Sequence, residues 1–470
     1  MESLKLSEIL KVTKGFLNNF DCTKDDILIN EIITETREDF KKGNTIFIAI
    51  KGENFDGHTF LQSALENGAK YCISSNEEYK NHKNIITVKD TVQALIDISG
   101  AVRDKINAPF VGITGSVGKT TTKEMTACFL SAKYNVLKTM GNFNNQIGMP
   151  KTIFSFNYTD EKALKHNCGV IEMGTSDIGE IDQLTLAVKP NIAIITCIGV
   201  SHIENFKTQD NILKGKMEIV NGLCDNGTLI LNYDDFYLKK VIDGEYIQKI
   251  MAKNILTYSL KNEAADVFAK NIKNQLFSQS FDICFKNTVY KATIPSLGEH
   301  NILNALAAFC AGYCLNVNLK DGIKALSKYI PSGARQSTEE FENGIIIKDY
   351  YNASPDSMKA SLNVLASLKS YDLKVAVLSD MLELGEISKK SHEEIGKETE
   401  ALKIDYLLAY GDLSKNYLTP LCKTKGEYFQ TKEELIKRLK ELFKNKTAVL
   451  IKGSRGMKLE DIYEGLTLKN

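Results

Sequence analysis

A glycine-rich turn followed by a lysine and threonines is the clearest chemical feature of this sequence. The segment PFVGITGSVGKTTTKEM (109–125) places this turn between an apolar strand and a helix, so that backbone N–H groups and the helix N-terminus face one anion. In such a loop Lys119 reaches the β- and γ-phosphates and Thr120 holds Mg²⁺. The strict G-x4-G-K-[ST] spacing is not met, because Ile113 stands five residues before Gly118. A purely structural turn is the alternative, but strand, GKT and helix together predict a nucleotide-phosphate site.

Two further apolar strands end in side chains that can bind a metal ion. Glu172 follows CGVI, and His202 comes just after NIAIITCIGVS. At adjacent strand ends a carboxylate and an imidazole could meet one divalent ion beside the phosphates. Each residue taken alone is also compatible with an ordinary polar surface position.

The elements around these residues predict an α/β protein of three units. A chain of 470 residues exceeds a single core. Short strands and one helical pattern, FLQSALENGA, predict a small α/β domain at 1–88. Alternating strands and helices predict a mostly parallel sheet at 89–330, and after YIPSGARQS the alternation resumes in a third domain at 331–470.

The amino-acid composition limits the kinds of partner that this protein is expected to bind. Lysine plus arginine and aspartate plus glutamate both total 59, so no overall basic field exists to hold nucleic acid. The ten cysteines form no CxxC framework, which is typical of reduced thiols in a cytosol, and Cys310 and Cys314 are interpreted as helix packing. No signal peptide and no apolar run of about 18 residues is visible, so we expect a cytoplasmic protein without membrane insertion.

Ordered motifs along most of the chain resemble those of the Mur ligases. The resemblance covers about residues 30–458 and is carried by these strings: VGITGSVGKTTTKEM, GNFNNQIGMP, IEMGTSDIGEI, GVSHIENFKTQDNILKGKMEI, GEHNILNALAA, DYYNASPDSM, LSDMLELGE and IKGSRGM. It implies a small uridine-nucleotide domain, a P-loop-type ATPase domain and a Rossmann-like C-terminal domain. The implied substrates are ATP, UDP-N-acetylmuramoyl-tripeptide and D-alanyl-D-alanine, handled by a monomer through an acyl phosphate.

The resemblance also assigns roles around the phosphate loop. It implies that triphosphate binds at Gly115, Ser116, Gly118, Lys119, Thr120 and Thr121. Two Mg²⁺ ions are implied, with Thr120, Glu172, His202 and Lys216 as the metal-binding residues. Lys216 occupies the position that is carbamylated in the family, and the added carboxylate would remove the repulsion between a lysine and a dication. The alternative is an unmodified lysine paired with phosphate.

The resemblance also assigns residues to the rest of the ATP molecule and to the other substrates. On the ATP side they are Asn232, His300, Asn301, Asn304 and Arg335; on the substrate side they are Thr36, Arg37, His58, Asn142, Asn145, Asp349, Tyr351, Asn352, Lys452, Ser454 and Arg455. Departures from the family pattern are ETR (35–37), Val117, Lys348 and Ser354. None of them removes a phosphate or metal ligand, although Lys348 leaves the role of Asp349 open.

Three alternatives are weighed against this interpretation. A ligase for a dibasic third amino acid would show H-T-P-D and GGDRD-like segments, where this chain has YNASPDSM and LSDMLELGE. Folylpolyglutamate synthase would begin close to the phosphate loop, whereas more than 100 residues precede Gly112 here. A non-catalytic sensor of cell-wall precursors would be expected to lose the metal residues, Lys216 or KGSRG, and all are present.

Overall fold

The N-terminal domain is built on a small, mainly parallel sheet. The computed structural model describes residues 1–36, 44–156, 165–245, 254–331, 333–342, 344–443 and 446–468. The elements of this domain are β1 (Leu4–Lys5), α1 (Leu6–Thr13), β2 (Phe16–Leu17), β3 (Leu28–Ile29), β4 (Glu31–Ile33), β5 (Thr45–Ile48), α2 (Leu61–Glu66), β6 (Tyr71–Ser74) and β7 (Ile85–Thr87). The sheet order is β2-β7-β6-β5-β4, with β2 antiparallel to β7 and the other pairs parallel. The predicted strands and helix of this segment are present, whereas α1 was not predicted.

Helix α3 (Thr91–Asp104) follows the predicted boundary near residue 88. Its N-terminus is capped by the Asp90 carboxylate, which accepts the backbone N–H groups of Val92 and Gln93. Buried Arg103 donates to the carbonyl of Val188 at 2.8 Å and lies 4.0 Å from the Phe110 ring. One apolar cluster therefore continues from the N-terminal strands through α3 into the next domain, and the domain boundaries stay predictions.

The central domain contains one twisted sheet covered by helices. Its elements are β8 (Phe110–Thr114), α4 (Lys119–Leu130), β9 (Val136–Lys138), α5 (Gly148–Phe154), β10 (Cys168–Glu172), α6 (Glu180–Val188), β11 (Ile192–Ile195), α7 (Ile203–Phe206), α8 (Gln209–Met217), β12 (Thr228–Asn232), α9 (Phe236–Lys240), β13 (Asn254–Ser259), β14 (Val267–Asn274), β15 (Gln279–Phe285), β16 (Thr288–Ile294), α10 (Glu299–Cys314) and α11 (Leu319–Leu326). The order is β16-β15-β14-β13-β12-β11-β8-β10-β9. The predicted parallel arrangement is confirmed from β9 to β14.

Strands β14, β15 and β16 extend this sheet in an antiparallel manner, which the sequence analysis did not predict. Lys286 and Asn287 both have positive φ in the turn between β15 and β16, the conformation of a tight hairpin turn. The alternating strand TVYKATI after this turn is a signal that could have revealed the hairpin. Cys310 is fully buried in α10, which is consistent with the prediction that it packs in the core rather than binding a metal ion.

The third domain is a mostly parallel sheet with helices on both faces. Its elements are β17 (Ser337–Phe341), β18 (Gly344–Asp349), α12 (Pro355–Ser367), β19 (Leu373–Ser379), α13 (Ser388–Ala401), β20 (Tyr406–Tyr410), β21 (Lys425–Phe429), α14 (Lys432–Leu442), β22 (Thr447–Lys452) and α15 (Glu460–Thr467). The order is β17-β18-β22-β19-β20-β21, with only the β17–β18 pair antiparallel among the described strands of this sheet. Separate apolar clusters fill its two faces. The α/β class is confirmed, and in the described part of the chain no helix is long and apolar enough to cross a bilayer.

Candidate active site

The phosphate loop joins β8 to α4 in a conformation that requires glycine. Gly115 has φ +144° and Gly118 has φ +86°. A Cβ atom on Gly115 would lie 1.9 Å from Thr196 Oγ1, which itself donates to the carbonyl of Val117 at 2.6 Å. Because the backbone is held this closely, the loop turns tightly into the first residues of α4.

Lys119 lies over this loop. Its ammonium donates to the carbonyls of Gly115 at 2.7 Å and Ser116 at 3.3 Å, and burial lowers its pKa. The hydroxyl of Ser116 is buried and has no hydrogen-bond partner among the described residues. The loop therefore offers a cation and an uncommitted hydroxyl donor to an anion.

A cavity of about 820 Å³ lies between the phosphate loop and the third domain and is lined by residues of both. This volume suits a nucleotide-sized ligand. Most of the predicted site residues line it: Ser116, Gly118, Lys119, Thr120, Thr121, Asn142, Asn145, Glu172, His202, Asn232, His300, Asn301, Asn304, Arg335, Asp349, Tyr351, Asn352, Lys452 and Arg455. Residues from both domains thus share one site.

Glu172 is held at the end of β10 by three side chains. Thr120 Oγ1 donates to one carboxylate oxygen at 2.9 Å, and Asn144 Nδ2 donates to the other at 2.8 Å. Lys123 Nζ lies 3.8 Å from the same carboxylate. Neither Asn144 nor Lys123 was predicted from the sequence, although Lys123 stands one helical turn after Lys119 and Asn144 lies in the motif GNFNNQIGMP. Together these groups fix a carboxylate beside the phosphate loop.

His202 lies on the other side of the loop. The strands that lead to Glu172 and His202 were expected to be neighbours. This expectation is wrong, because β8 lies between β10 and β11. His202 has φ +60°, and its Nδ1 lies 2.7 Å from a carboxylate oxygen of Glu383 in the third domain. This hydrogen bond lowers the pKa of Glu383. Within the described residues no three His, Cys, Asp or Glu side chains are close enough to bind a metal ion without other ligands.

Lys216 is buried in α8 behind the cavity wall, with 1% of its surface exposed. Burial, and then the positive charge of Lys119, lower its pKa well below the usual value of a lysine. Both effects favour the neutral amine. The position therefore suits a reactive or modified lysine better than an ordinary surface cation.

The adenine-side residues are bonded to one another within the protein. Asn232 Nδ2 donates to the carbonyl of Thr196 at 3.1 Å. Asn304 Nδ2 donates to Asn301 Oδ1 at 3.3 Å, and Thr122 Oγ1 donates to Asn304 Oδ1 at 3.0 Å. These side chains thus form a buried polar wall of the cavity.

On the third domain, Asp349 and Lys452 form a buried ion pair. Lys452 Nζ lies 2.7 Å from Asp349 Oδ2 and 3.1 Å from the carbonyl of Asn352. The Arg335 guanidinium lies 3.7 Å from the Tyr351 ring. Ser454 accepts the N–H of Leu382 at 3.0 Å and does not line the cavity. Lys452 thus has a structural partner while it also lines the cavity, and its role toward substrate stays a prediction. Ser454 lies one layer behind the site.

The family departures Lys348 and Ser354 fit local structure. Lys348 Nζ pairs with Glu339 at 2.6 Å on the neighbouring strand, away from Asp349, because successive strand residues face opposite sides. Ser354 forms a capping box with Ser357 at the start of α12. Lys348 does not line the cavity, whereas Ser354 does.

We expect Lys452→Met to lower the free energy of unfolding by about 3 kcal/mol, because the mutation leaves the Asp349 carboxylate buried without its cation. Urea denaturation followed by circular dichroism measures this. The control is Lys415→Met, whose partner Asp412 is 95% exposed; its effect is expected to stay within about 1 kcal/mol. Equal effects of the two mutations would contradict the structural role of Lys452.

Thr36 and His58, the described members of the predicted N-terminal set, do not line the cavity. Arg37 lies outside the described residues, and Thr36 is the last residue described before that gap. His58 Nδ1 lies 2.7 Å from Asp56, and its Nε2 accepts the N–H of Ser75 at 3.1 Å. Glu35 lies 3.3 Å from Lys151 of α5, so this edge of the domain faces the central domain. The uridine-side roles stay predictions.

Comparisons of the sequence and of the structure with known proteins match this chain to Mur ligases. The Mur ligase middle domain family matches residues 113–312, and the family described as Mur ligase, glutamate ligase domain matches residues 335–455. The UDP-N-acetylmuramoyl-tripeptide–D-alanyl-D-alanine ligase of Bacillus subtilis is 35% identical over 98% of both chains. A crystal structure of MurF from Acinetobacter baumannii has a TM-score of 0.88 and 29% identity, with 100% of both chains covered. MurF from Thermotoga maritima in complex with ADP has a TM-score of 0.81 and 27% identity, covering 93% of this chain and 97% of that one.

Proposed function

The chain belongs to the Mur ligase family, and from this premise we propose that it joins D-alanyl-D-alanine to UDP-N-acetylmuramoyl-tripeptide using ATP. One observation carries the proposal: the phosphate loop and the third-domain residues Arg335, Tyr351 and Asn352 line a single cavity. The full-length similarity to ligases with this acceptor favours the dipeptide over a single dibasic amino acid.

The proposed reaction has two steps. A carboxylate oxygen of the tripeptide attacks the γ-phosphorus of ATP, the bond to the bridging oxygen breaks, and ADP leaves. The amine of D-alanyl-D-alanine then attacks the acyl carbon, loses a proton, and expels phosphate as the amide forms. Catalysis rests on positioning and on neutralising phosphate charge. Lys119 and the loop N–H groups supply this at one wall of the cavity, and Arg335 supplies it from the hinge, the segment between α11 and β17 that joins the central and third domains.

The residues present fit Mg²⁺ bound together with ATP. Mg²⁺ usually keeps several waters and takes one or two carboxylates plus substrate phosphates, so a complete protein cage is not required. Thr120 and Glu172 already lie together beside the phosphate loop, and His202 lines the same cavity. When bound, two such ions would neutralise the charge that moves between the phosphates. The residues proposed to hold them are Thr120, Glu172, His202 and Lys216.

Carbamylation of Lys216 also fits its surroundings. In carbamylation the neutral amine attacks the carbon of CO₂ and loses a proton to solvent, which leaves a carbamate anion. Burial and the nearby Lys119 favour the neutral amine that this step requires. The modification would replace a potential cation near Lys119 with an anion that can assist metal binding. The loss of like-charge repulsion is the physical reason for proposing it.

We place the enzyme in the cytoplasm as a monomer. All ten cysteines are free thiols in the structure, which is compatible with a reducing compartment. The monomeric state is proposed from the resemblance to the Mur ligases.

Phosphate release from ATP tests the proposal directly. We expect release by the purified protein only when UDP-N-acetylmuramoyl-tripeptide and D-alanyl-D-alanine are both present, with a pentapeptide product detected by mass spectrometry. Omitting D-alanyl-D-alanine is the control. Turnover with another amine would keep the ligase chemistry and reject the acceptor, whereas ATP binding without any turnover would indicate a non-catalytic sensor.

A further inference from the structure

Gln336 lies in the segment that joins the central and third domains. Its backbone is left-handed, with φ +56°, which is uncommon for a residue other than glycine. Such a conformation persists only where the surrounding contacts fix it. The side chain is 8% exposed, so those contacts are buried.

The side-chain oxygen of Gln336 makes those contacts. Oε1 accepts from Asn301 Nδ2 at 2.6 Å and from His300 Nε2 at 2.8 Å, both at the start of α10. The Nε2 atom of Gln336 is buried and has no partner among the described residues. The oxygen, rather than the amide nitrogen, therefore joins the hinge to α10.

From Asn301 the hydrogen bonds continue to the phosphate loop. Asn304 Nδ2 donates to Asn301 Oδ1, and Thr122 of α4 donates to Asn304 Oδ1. Asn304 Oδ1 also lies 2.9 Å from the point where a Cβ atom on Gly118 would stand. Shielded from water, these bonds are stronger than exposed ones and can reinforce one another. A continuous relay thus runs from the hinge through Asn301 and Asn304 to the helix that begins at Lys119.

We propose that Gln336 is a positioning residue for nucleotide binding, which couples the position of the third domain to the geometry of the phosphate loop. The inference rests on the proposed function and deepens it. Arg335 and Gln336 both line the cavity; Arg335 stacks on Tyr351, and the side-chain oxygen of Gln336 joins the relay. When the hinge is in place, Asn301 and Asn304 are held in one arrangement, and the phosphates meet a loop that is already ordered.

Gln336→Met tests the relay, because methionine is similar in size but accepts no comparable hydrogen bond. Calorimetric titration of the full chain with ADP is expected to show binding about tenfold weaker than wild type, as two buried hydrogen bonds lose their acceptor. In the complete reaction, KM for ATP should rise by a similar factor while KM for D-alanyl-D-alanine stays unchanged. Wild-type ADP affinity in Gln336→Met would overturn the inference.

Two variants separate positioning from general stability. Gln336→Glu keeps an oxygen acceptor for both donors, so its ADP affinity should stay within about threefold of wild type. Gln279→Met removes another buried glutamine, which lies on β15 and does not line the cavity. The side-chain amide of Gln279 donates to Asn274 Oδ1 at 2.7 Å. That variant should lose thermal stability without losing ADP affinity. Binding as weak in Gln336→Glu as in Gln336→Met would also overturn the proposal.

A double-mutant cycle tests the continuity of the relay. Thr122→Val removes the hydroxyl at the far end, and combined with Gln336→Met it should weaken ADP binding by less than the product of the two single effects. Independent, multiplicative effects would mean that the two ends are not coupled. Absence of ADP binding by the wild type would instead reject the proposed function, and this inference with it.

Discussion

Lys119→Met is expected to lower kcat for phosphate release by on the order of 10²–10³-fold, the effect of removing one preorganised donor from a developing charge. The ammonium of Lys119 is the partly buried cation of the phosphate loop, held by the carbonyls of Gly115 and Ser116. Methionine keeps the packing and removes the charge. Steady-state rates at saturating substrates measure the loss.

Two further variants sharpen this expectation. Lys119→Arg should not restore the rate, because a planar guanidinium does not reproduce a compact ammonium inside a loop this tight. Lys397→Met removes an exposed lysine of α13 and should leave the rate unchanged. A Lys119→Met enzyme within tenfold of wild type would remove Lys119 from the proposed phosphate chemistry.

Lys216→Ala is expected to lower activity by at least on the order of 100-fold, and small carboxylic acids such as acetate should restore part of it. The substitution leaves a space where the buried lysine stood. A free carboxylate can enter this space and replace the anion of a carbamate. Activity measured against acetate concentration, with chloride at matched ionic strength, tests the rescue.

Two control variants accompany Lys216→Ala: one changes another lysine of α8, and the other fills the space that alanine would leave. Lys214→Ala, at an exposed position of α8, should retain activity and show no response to acetate. Lys216→Met should be inactive and should not be rescued, because its side chain fills the space. If Lys216 instead pairs with phosphate as an unmodified cation, Lys216→Arg would retain activity and acetate would have no effect on Lys216→Ala.

Local sequence was sufficient to predict the phosphate loop. Gly115 and Gly118 adopt positive φ, and Lys119 starts a helix directly after them, so all the required geometry lies within a few consecutive residues. The parallel strands around the loop were predictable for a similar reason, since apolar runs such as CGVIE are buried on both faces. Glu172 and His202 were selected from the ends of two apolar strands, and the resemblance to the Mur ligases added their roles as Mg²⁺ ligands. Both residues line the same cavity.

Long-range neighbours could not be predicted in the same way. Lys123 has the spacing of an ordinary helix residue, yet it is 1% exposed and lies beside Glu172 because β10 packs next to α4. Glu383 meets His202 only because the third domain lies against the central one. The ion pair of Lys452 with Asp349 could not be predicted either, because it depends on the register between β18 and β22.

The sequence by itself determined most of the elements, the α/β class, the phosphate loop and the strand ends that border it, because backbone preference and hydrophobic period act over a few residues. Only the tertiary structure decided the order of strands, with β8 between the strands leading to Glu172 and His202, and the pairing of Gln336 with α10. These contacts join residues far apart in the chain. They are selected by burial and by the need of each buried polar group for a partner, which is a property of the whole packed chain rather than of any segment.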